Sequence, residues 1–375
     1  MTVGLVHFNH HEGPNMTAWP DMRTSSWKPN YGDMLVCAAI LRGVKLPGDV
    51  RRVGFGGTFS IPIDRALIRG STYLHGGFDF AAANKTLDSI DAPVAIVGLG
   101  AQNPVADVSF LDRNELARDF VARLNEKSVS ISVRGAFSAA VIERLGGKNI
   151  RITGCPSLFY SLKCPNVVVP EMLFRKERSL GVSIHTGLTK NIFCHSPQQA
   201  KLMHGLAFDF ALRNASNISL FEQGVMREYD VADRSLDFQA RLNQAKLIHT
   251  EIGGDGLFTP FDLLAHIVSV KNIEEWVAKA RDVDAIIGFR FHGNMVALMQ
   301  GTPCYYYVYD SRLAEFAELY GLPWQDVNEE FVNPIDRMLG HDWGKVNASL
   351  AKYFEELKAF YEENGFEHRF GEVSA

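Results

Sequence analysis

Short apolar segments alternate with longer amphipathic segments along most of the chain. The apolar segments, such as residues 93–98, 179–185 and 284–288, are typical of strands buried on both faces of a parallel sheet. The amphipathic segments carry apolar side chains at helical spacing, as in residues 110–124. Because strand and helix alternate repeatedly, the pattern predicts an α/β fold with Rossmann-like parallel sheets.

The alternation is interrupted at residues 163–178, which read as a linker. We therefore predict an N-terminal Rossmann-like domain over residues 1–165 and a C-terminal one over 179–340. Residues 341–375 include a helix with a wide apolar stripe, which we predict to pack across both domains. Residues 228–256 are polar, and we expect an irregular insertion or a lid there.

Composition narrows the class of protein. The 375 residues suffice for two domains, and 46% hydrophobic with 22% charged residues is typical of a soluble globular protein. A net charge of -5 argues against binding nucleic acid or an anionic membrane. The sequence lacks a basic segment followed by an apolar one at its start and any apolar run of about 18 residues, so we expect a cytoplasmic protein without a transmembrane segment. The 5 cysteines form no C-x-x-C pair, which predicts reduced thiols.

Residues 284–303 are the strongest candidate for chemistry. A short apolar strand is followed by a turn and a short helix, and we place Arg290 and His292 on the turn, with Gly293 and Asn294 at the start of the helix. Two cations beside the unpaired N–H groups of a helix N-terminus predict a site for phosphate or carboxylate. The alternative is structural: Arg290 pairs with a neighbouring carboxylate and His292 with a backbone carbonyl.

A second candidate lies near the start of the chain. Asn30, Gly32 and Asp33 precede the apolar residues 34–41, which predict a helix with Asp33 as its N-cap. The cap is one interpretation of Asp33. The other is a turn that lines a cleft, where Gly32 lets a ligand approach the backbone closely.

Other turns end predicted strands. Residues 71–77 predict a short strand that ends at Gly76 and Gly77, which indicate either close backbone approach or a plain tight turn. Gly100 lies in the loop at the carboxyl end of the 93–98 strand. Arg134 stands between a strand and a helix, as Arg290 does.

Two patterns contain residue types that bind metals. His7, His10 and His11 lack a cysteine or acidic residue at ligand spacing, so we prefer a solvated loop. Asp282 and Asp284 match a D-x-D pattern, but they precede their strand and therefore lie at the edge opposite to the ligand edge. We predict no metal site.

Several short motifs, in order and at natural spacing, resemble those of the polysaccharide pyruvyl transferases. The matching segments are residues 30–33, 74–77, 97–100, 131–134 with Ser138, 145–146, 154–157, 288–293, 301–303 and 309–310. Together they span residues 30–325. The chain departs from the family pattern at Gly135, Cys155, His185 and Phe291.

The resemblance implies a reaction and an architecture. Members of the family transfer pyruvate from phosphoenolpyruvate onto two hydroxyls of a sugar, which forms a cyclic ketal and releases phosphate. Their two Rossmann-like domains have a GT-B-like arrangement, with the active site in the cleft between the domains. Phosphoenolpyruvate is then the donor substrate, and neither a cofactor nor a metal is required.

The resemblance also assigns roles to residues of this sequence. His292, Arg290 and Asp33 are the catalytic candidates, with His292 as acid and base or as a phosphate contact, and with capping as the alternative for Asp33. Asp310 is a weaker candidate for a base or an acceptor contact, with turn hydrogen bonds as its alternative. The substrate-binding candidates are Arg134, Ser138, Gly293, Asn294, Asn30, Gly32, Gly76, Gly77, Gly100 and Asp310.

The partners implied are phosphoenolpyruvate and a hexose or acetamidohexose of a polysaccharide or lipid-linked glycan. Trp27, Tyr31 and Tyr307 would either stack on sugar faces or pack in the protein. A lipid-linked acceptor would place the protein peripherally at the inner face of the cytoplasmic membrane, and a homo-oligomer is compatible with the sequence. Two other functions stay open: a GT-B glycosyltransferase that uses a nucleotide sugar, and a catalytically silent glycan-binding protein.

Overall fold

Two α/β domains, each built on a parallel sheet, face each other across a cleft. The structure is a computed structural model that describes residues 1–9, 13–15, 19, 21–24 and 30–372. None of the described helices is long and apolar enough to cross a membrane. The α/β fold with parallel sheets in two domains, predicted from the sequence, is confirmed.

In the N-terminal domain, four strands pair in the order β2-β1-β3-β4. A parallel bridge between Leu99 and Val133 then joins the end of β4 to the β5-β6 pair. The described strands are β1 Thr2–Val6, β2 Asp49–Val53, β3 Arg65–Arg69, β4 Val94–Val97, β5 Ile131–Val133 and β6 Ile150–Ile152. The helices are α1 Tyr31–Gly43, α2 Phe80–Asp88, α3 Glu115–Lys127 and α4 Ala136–Arg144.

In the C-terminal domain, six parallel strands pair within the described ranges in the order β12-β11-β10-β7-β8-β9. The strands are β7 Ser179–Ser183, β8 Asn217–Phe221, β9 Ile267–Val268, β10 Ala285–Gly288, β11 Cys304–Val308 and β12 Trp324–Asp326. The helices are α5 Pro197–Asn214, α6 Met226–Ala232, α7 Phe238–Glu251, α8 Pro260–His266, α9 Ile273–Arg281, α10 Phe291–Leu298, α11 Ser311–Tyr320, α12 Pro334–Leu339 and α13 Trp343–Glu363.

The helix α13 contacts both domains. Its residue Phe354 packs on Phe159, and its residues Glu356 and Glu363 form ion pairs with Arg151 of β6. The same helix packs against α11 of the C-terminal domain. The 163–178 segment carries a 3₁₀ turn at Glu171–Phe174 between the two sheets.

Two helices begin earlier than the sequence predicted. Asn30, not Asp33, is the N-cap of α1, because its side-chain oxygen accepts the N–H groups of Gly32 and Asp33. Asp33 therefore lies in the first helical turn. Likewise α10 begins at Phe291, which puts His292 inside the first turn of that helix rather than on the preceding loop.

Two predictions about irregular and extended segments were wrong. Residues 228–256 are mostly helical, since α6 and α7 pack with α8 and bury Val231 and Ile248. Within α7 the buried residues Leu242, Ala245 and Ile248 follow one another at helical spacing, among many polar neighbours. Residues 71–77 are not a strand: β3 precedes them at Arg65–Arg69, and Ser71 begins the loop at its carboxyl end.

Candidate active site

A small polar cavity lies between the carboxyl edges of the two sheets. The C-terminal sheet changes direction between β7 and β10, because the chain continues from β7 to β8 and β9 on one side and from β10 to β12 on the other. Open α/β sheets bind ligands at such a point. The cavity there has a volume of about 120 Å³. It is lined by Asn30, Gly32, Asp33, Ser71, Thr72, Arg134, His185, Gln223, Arg290, Phe291, His292, Tyr309 and Arg312.

Arg290 lines the cavity but is already paired. Its Nε donates to the carbonyl of Ile184 at 2.6 Å, and its Nη2 lies 2.7 Å from a carboxylate oxygen of Glu228. The Glu228 side chain is fully buried, whereas that of Arg290 is 14% exposed. The structural alternative for Arg290 is therefore present in this structure, and the ion pair coexists with its place in the cavity wall.

The buried carboxylate of Glu228, behind the cavity, accepts hydrogen bonds from several residues. Besides Arg290 it accepts the hydroxyl of Thr186 at 2.6 Å and the backbone N–H of Gln223 at 3.2 Å. These groups belong to the loops after β7 and β8. One buried carboxylate of α6 thus holds Arg290 and two loops of the cavity wall in place.

His292 faces the N-terminus of α1. A Cβ on Gly32 would lie 2.2 Å from the Nδ1 of His292, so only glycine admits the imidazole at this distance. The Nε2 of His292 is 3.9 Å from the sulfur of Cys155, and the described residues offer it no backbone carbonyl. Burial, then the positive charges of Arg134 and Arg312, hold the pKa of His292 well below its ordinary value. The imidazole is therefore neutral in the free protein.

Three buried donors at the cavity have no hydrogen-bond partner in the part of the chain that the structure describes. They are the Nη2 of Arg134, the Nε of Arg312 and the Nε2 of Gln223. Buried polar groups are normally paired, so unpaired donors around one cavity indicate a site for an acceptor-rich ligand. The first N–H groups of α10 add a partial positive charge to the same cavity.

The two guanidinium groups that each carry an unpaired nitrogen have fixed positions, and the Nη2 of Arg312 also lies 3.7 Å from a carboxylate oxygen of Asp310. Arg134 donates through Nε to the carbonyl of Gly98 at 3.0 Å, and Arg312 donates through Nη2 to the hydroxyl of Tyr309 at 3.3 Å. Both lie over the ring of Phe291, at 5.7 and 5.5 Å from its centroid. These cation–π contacts help to hold both guanidinium groups beside Phe291 at the cavity.

Asp33 and Asn30 form the opposite wall. The carboxylate of Asp33 accepts the Ser71 hydroxyl at 3.4 Å, and its carbonyl accepts a guanidinium N–H of Arg69 at 3.4 Å. Asn30 caps α1 and also lines the cavity. The start of α1 and the loop after β3 thus bring a carboxylate and hydroxyls, whereas Arg134 of the N-terminal domain and Arg290 and Arg312 of the C-terminal domain make the rest of the cavity cationic.

Three predicted substrate contacts lie outside the cavity and have structural partners. Asp310 caps α11 by accepting the N–H of Leu313, and it accepts the Gln102 amide N–H at 2.7 Å. These are the turn hydrogen bonds that the sequence offered as the alternative to a catalytic role. Ser138 bonds the carboxylate of Glu315 through its N–H and its hydroxyl.

The third predicted substrate contact outside the cavity is Asn294, whose side chain points into the protein interior. It bonds Ser183 and the carbonyl of Tyr305, and it is fully buried. These partners fix the start of α10 against β7 and β11.

The predicted glycines have different positions. A Cβ on Gly100 would lie 2.9 Å from the side chain of Arg134, and one on Gly293 would lie 2.1 Å from the Gln223 amide nitrogen. Both therefore make room for groups that face the cavity. Gly76 and Gly77 are exposed and do not line it.

Sequence reasoning missed Arg312, Gln223, Ser71 and Thr72. Each follows the carboxyl end of a strand closely, so a search for polar residues at that position along every strand would have included them. His185, noted as a departure from the family pattern, also lines the cavity.

The two described aromatic candidates for sugar stacking, Tyr31 and Tyr307, do not line the cavity. Tyr31 and Tyr307 are fully buried, and Tyr307 packs between Phe289 and Phe331. Trp27, His10 and His11 lie outside the described residues. Among the residues that are described, there is no group of three potential ligands that could hold a metal ion.

The sequence and the fold were compared with known proteins. The family model described as polysaccharide pyruvyl transferase matches residues 30–311. No curated protein matches the sequence. Similar solved structures include the UDP-GlcNAc 2-epimerase of Methanocaldococcus jannaschii, with 10% identity over 94% of this chain and 99% of that chain and a TM-score of 0.47. Anabaena Alr3699/HepE, solved with UDP and glucose, has 10% identity over 97% of each chain and a TM-score of 0.45.

The matched residues cover most of the chain. They include the 30–33, 131–134 and 288–293 motifs that line the cavity and on which the resemblance was based. The resemblance found in the sequence is confirmed: this chain belongs to the polysaccharide pyruvyl transferase family.

Proposed function

We propose that the protein transfers pyruvate from phosphoenolpyruvate onto two hydroxyls of one sugar, in a polysaccharide or a lipid-linked glycan. The reaction forms two bonds between the enol carbon and the sugar oxygens and breaks the bond between that carbon and the phosphate oxygen. One hydroxyl proton converts the methylene group into a methyl group, and the other leaves with phosphate. The product is a cyclic ketal.

The observation that carries this proposal is the set of unpaired buried donors on Arg134, Arg312 and Gln223 around one small cavity. Phosphoenolpyruvate bears a phosphate and a carboxylate, both rich in acceptors. Guanidinium groups suit either anion, because their N–H groups form planar forks. The N–H groups at the start of α10 add further donors.

In this scheme the residues at the cavity have separate roles. Arg134 and Arg312 hold the donor anion and stabilise the departing phosphate. His292, which lies beside them, exchanges protons with the substrate once an anion is bound. Asp33, on the opposite wall, accepts a hydroxyl proton. The guanidinium groups supply the positive charge, so the proposed scheme needs no metal and no cofactor.

The size of the cavity favours phosphoenolpyruvate over a nucleotide sugar. Sites for drug-sized ligands usually have volumes of about 300 to 1,000 Å³. The cavity here has about 120 Å³, which suits a small anion. With a lipid-linked acceptor, the protein would work peripherally at the inner face of the cytoplasmic membrane.

Calorimetric titration tests the proposal. Phosphoenolpyruvate, UDP-glucose and GDP-mannose are titrated into the wild-type protein, Arg312→Gln and Arg178→Gln. Arg178 is the matched control, because its Nε is also buried without a described partner but lies beside the amino end of β7. Losing a hydrogen bond to a charged group costs about 1.5–3 kcal/mol, so we expect Arg312→Gln to weaken phosphoenolpyruvate binding about 10- to 100-fold.

The control variant should bind phosphoenolpyruvate as the wild type does. Release of phosphate, measured in the presence of an acceptor glycan, then connects binding with transfer. Binding of a nucleotide sugar without binding of phosphoenolpyruvate would overturn the proposal in favour of a glycosyltransferase.

A further inference from the structure

His7 has a strained backbone at the end of a central strand. It directly follows β1, and its φ is 63°, in the left-handed region that residues with a Cβ rarely adopt. Asn149 and Leu162 are the other described non-glycine residues with positive φ. Glycine would adopt this conformation without strain, so a histidine here indicates a use for its side chain.

The strand that ends at His7 marks the point where the N-terminal sheet changes direction. β1 pairs with β2 on one side and with β3 on the other. The carboxyl edge at such a point is where open α/β sheets bind ligands. The last paired residues of β1 and β3 are Val6 and Ile68, so His7 stands beside Arg69, two residues before Ser71 of the cavity wall. His7 does not line the anion cavity itself; it lies next to it, at the same carboxyl edge of the N-terminal sheet as Ser71.

The ring of His7 is held by aromatic neighbours and not by hydrogen bonds. It stacks on Phe55 with 4.8 Å between centroids and meets the ring of Tyr73 edge-on at 5.6 Å. Neither ring nitrogen has a hydrogen-bond partner in the described ranges of the chain. Burial, then the charge of Arg69, lowers the pKa of His7 to about 4. The imidazole is neutral and offers one donor and one acceptor.

The chemistry of this wall differs from that of the anion cavity. His7 brings a neutral imidazole, Asp33 a carboxylate and Ser71 a hydroxyl, and Ser71 donates to Asp33 at 3.4 Å. Such a mixture of donors and acceptors complements neutral hydroxyl groups, whereas the guanidinium groups of Arg134 and Arg312 complement an anion. In the proposed reaction, two sugar hydroxyls must reach the enol carbon from one side.

We propose that His7, together with Asp33 and Ser71, contacts the hydroxyl groups of the acceptor sugar and contributes to sugar specificity. The inference rests on the proposed function, since it places the acceptor beside the donor anion. His7 was noted in the sequence only as part of an incomplete histidine cluster. Its backbone and its position in the sheet assign it to sugar binding.

Substitutions that tolerate positive φ test this role. His7→Asn keeps a small polar side chain, and His7→Gly removes the strain together with the ring. Asn149→Gly is the control, because it changes another positive-φ residue, at the amino end of β6. Thermal melting shows whether each variant folds.

Two binding measurements are then made on each protein. Calorimetry gives the Kd of phosphoenolpyruvate, and saturation-transfer NMR gives the affinity for methyl hexopyranosides and methyl acetamidohexosides with phosphoenolpyruvate present. We expect both His7 variants to lose sugar affinity at least about tenfold, with the phosphoenolpyruvate Kd within about twofold of wild type. The control should match the wild type in both.

The outcomes separate the two proposals. Unchanged sugar affinity in a folded His7→Gly protein overturns the role of His7, and so does the absence of sugar binding to the wild type. A wild-type protein that binds these sugars but not phosphoenolpyruvate overturns the proposed donor. In that case, the sugar affinities of the His7 variants still decide the role of His7.

Discussion

Gly32 illustrates, at the scale of single residues, how close approach creates the candidate site. Its missing side chain lets the imidazole of His292 lie against the start of α1, within reach of the cavity. The same imidazole lies in the first turn of α10, where the helix dipole also disfavours a positive charge. Burial, which is the larger cause, and the charges of Arg134 and Arg312 thus lower the pKa of His292 and favour its neutral form.

This arrangement predicts proton uptake on binding. A bound phosphate compensates the charges of Arg134 and Arg312, so the pKa of His292 should rise from its lowered value, and His292 should take up a proton on binding. Calorimetry of phosphoenolpyruvate binding in buffers of different ionisation enthalpy measures this uptake. The uptake should be smaller in His292→Asn, and equal uptake in both proteins would contradict the assignment.

A second residue-scale prediction concerns Arg290 and Glu228. Arg290→Ala leaves a fully buried carboxylate unpaired, which should lower the free energy of unfolding by about 3–5 kcal/mol. Adding Glu228→Gln removes the unpaired charge and should recover most of the loss, without restoring transfer. Urea unfolding of the two variants gives the values. A double variant as unstable as Arg290→Ala would show that the pair does not determine stability.

At the scale of elements, the helix α11 connects the two halves of the site. Its second residue, Arg312, reaches the cavity, and its residue Glu315 binds the N–H and the hydroxyl of Ser138 in α4. Gly135, just before α4, leaves room for this carboxylate. A Cβ there would lie 2.4 Å from the Cγ of Glu315. The departure from the family pattern at Gly135 thus accompanies a carboxylate supplied by the other domain.

The contact between Gly135 and Glu315 predicts coupling. Gly135→Ala should displace Glu315 and lower the free energy of unfolding by about 1–3 kcal/mol, because its extended φ of -178° suits any residue and only the contact changes. In a Glu315→Ala background, the same change should cost at least about 1 kcal/mol less. Urea unfolding of the double-mutant cycle measures the difference, and additive effects would refute the contact.

At the scale of the whole molecule, buried carboxylates of the C-terminal domain hold the two domains together. Each of them accepts a hydrogen bond from the N-terminal domain. The pairs are Glu222 with Tyr31, Asp310 with Gln102, and Glu315 with Ser138. Gln223 and Tyr309, which directly adjoin Glu222 and Asp310 in the chain, line the cavity, so the relative position of its walls depends on these pairs.

These carboxylates predict how stability depends on pH. Burial is the main cause that raises the pKa values of Glu222 and Glu315 from 4.5 to about 7. A carboxyl group whose pKa is raised by folding stabilises the folded protein at pH values below its unfolded pKa of 4.5. This stabilisation is lost as the pH rises through the folded pKa of about 7. For each group, the free energy of unfolding should fall by about 3 kcal/mol over this range. Unfolding midpoints of Glu222→Gln should therefore fall less than those of wild type between pH 6 and 8, and parallel curves would refute the prediction.

The sequence alone determined the α/β class, the family and the position of the central strand, turn and helix. These depend on local features: apolar runs, helical spacing and short motifs, each of which is encoded within about 20 residues. Helix starts were less well determined. The side chain of Asn30 competes with that of Asp33 for the same cap, and the geometry of the first turn decides between them.

Only the tertiary structure decided which side chains meet. Glu228, 62 residues before Arg290, became its partner, and Gln223 and Arg312 joined the anion site from separate strand ends. The packing of α6 and the docking of the two domains bring these groups together. Local sequence patterns cannot specify such contacts, because they depend on how distant elements pack. The sequence therefore predicted an anion site at Arg290 and His292, whereas the fold supplied most of its unpaired donors.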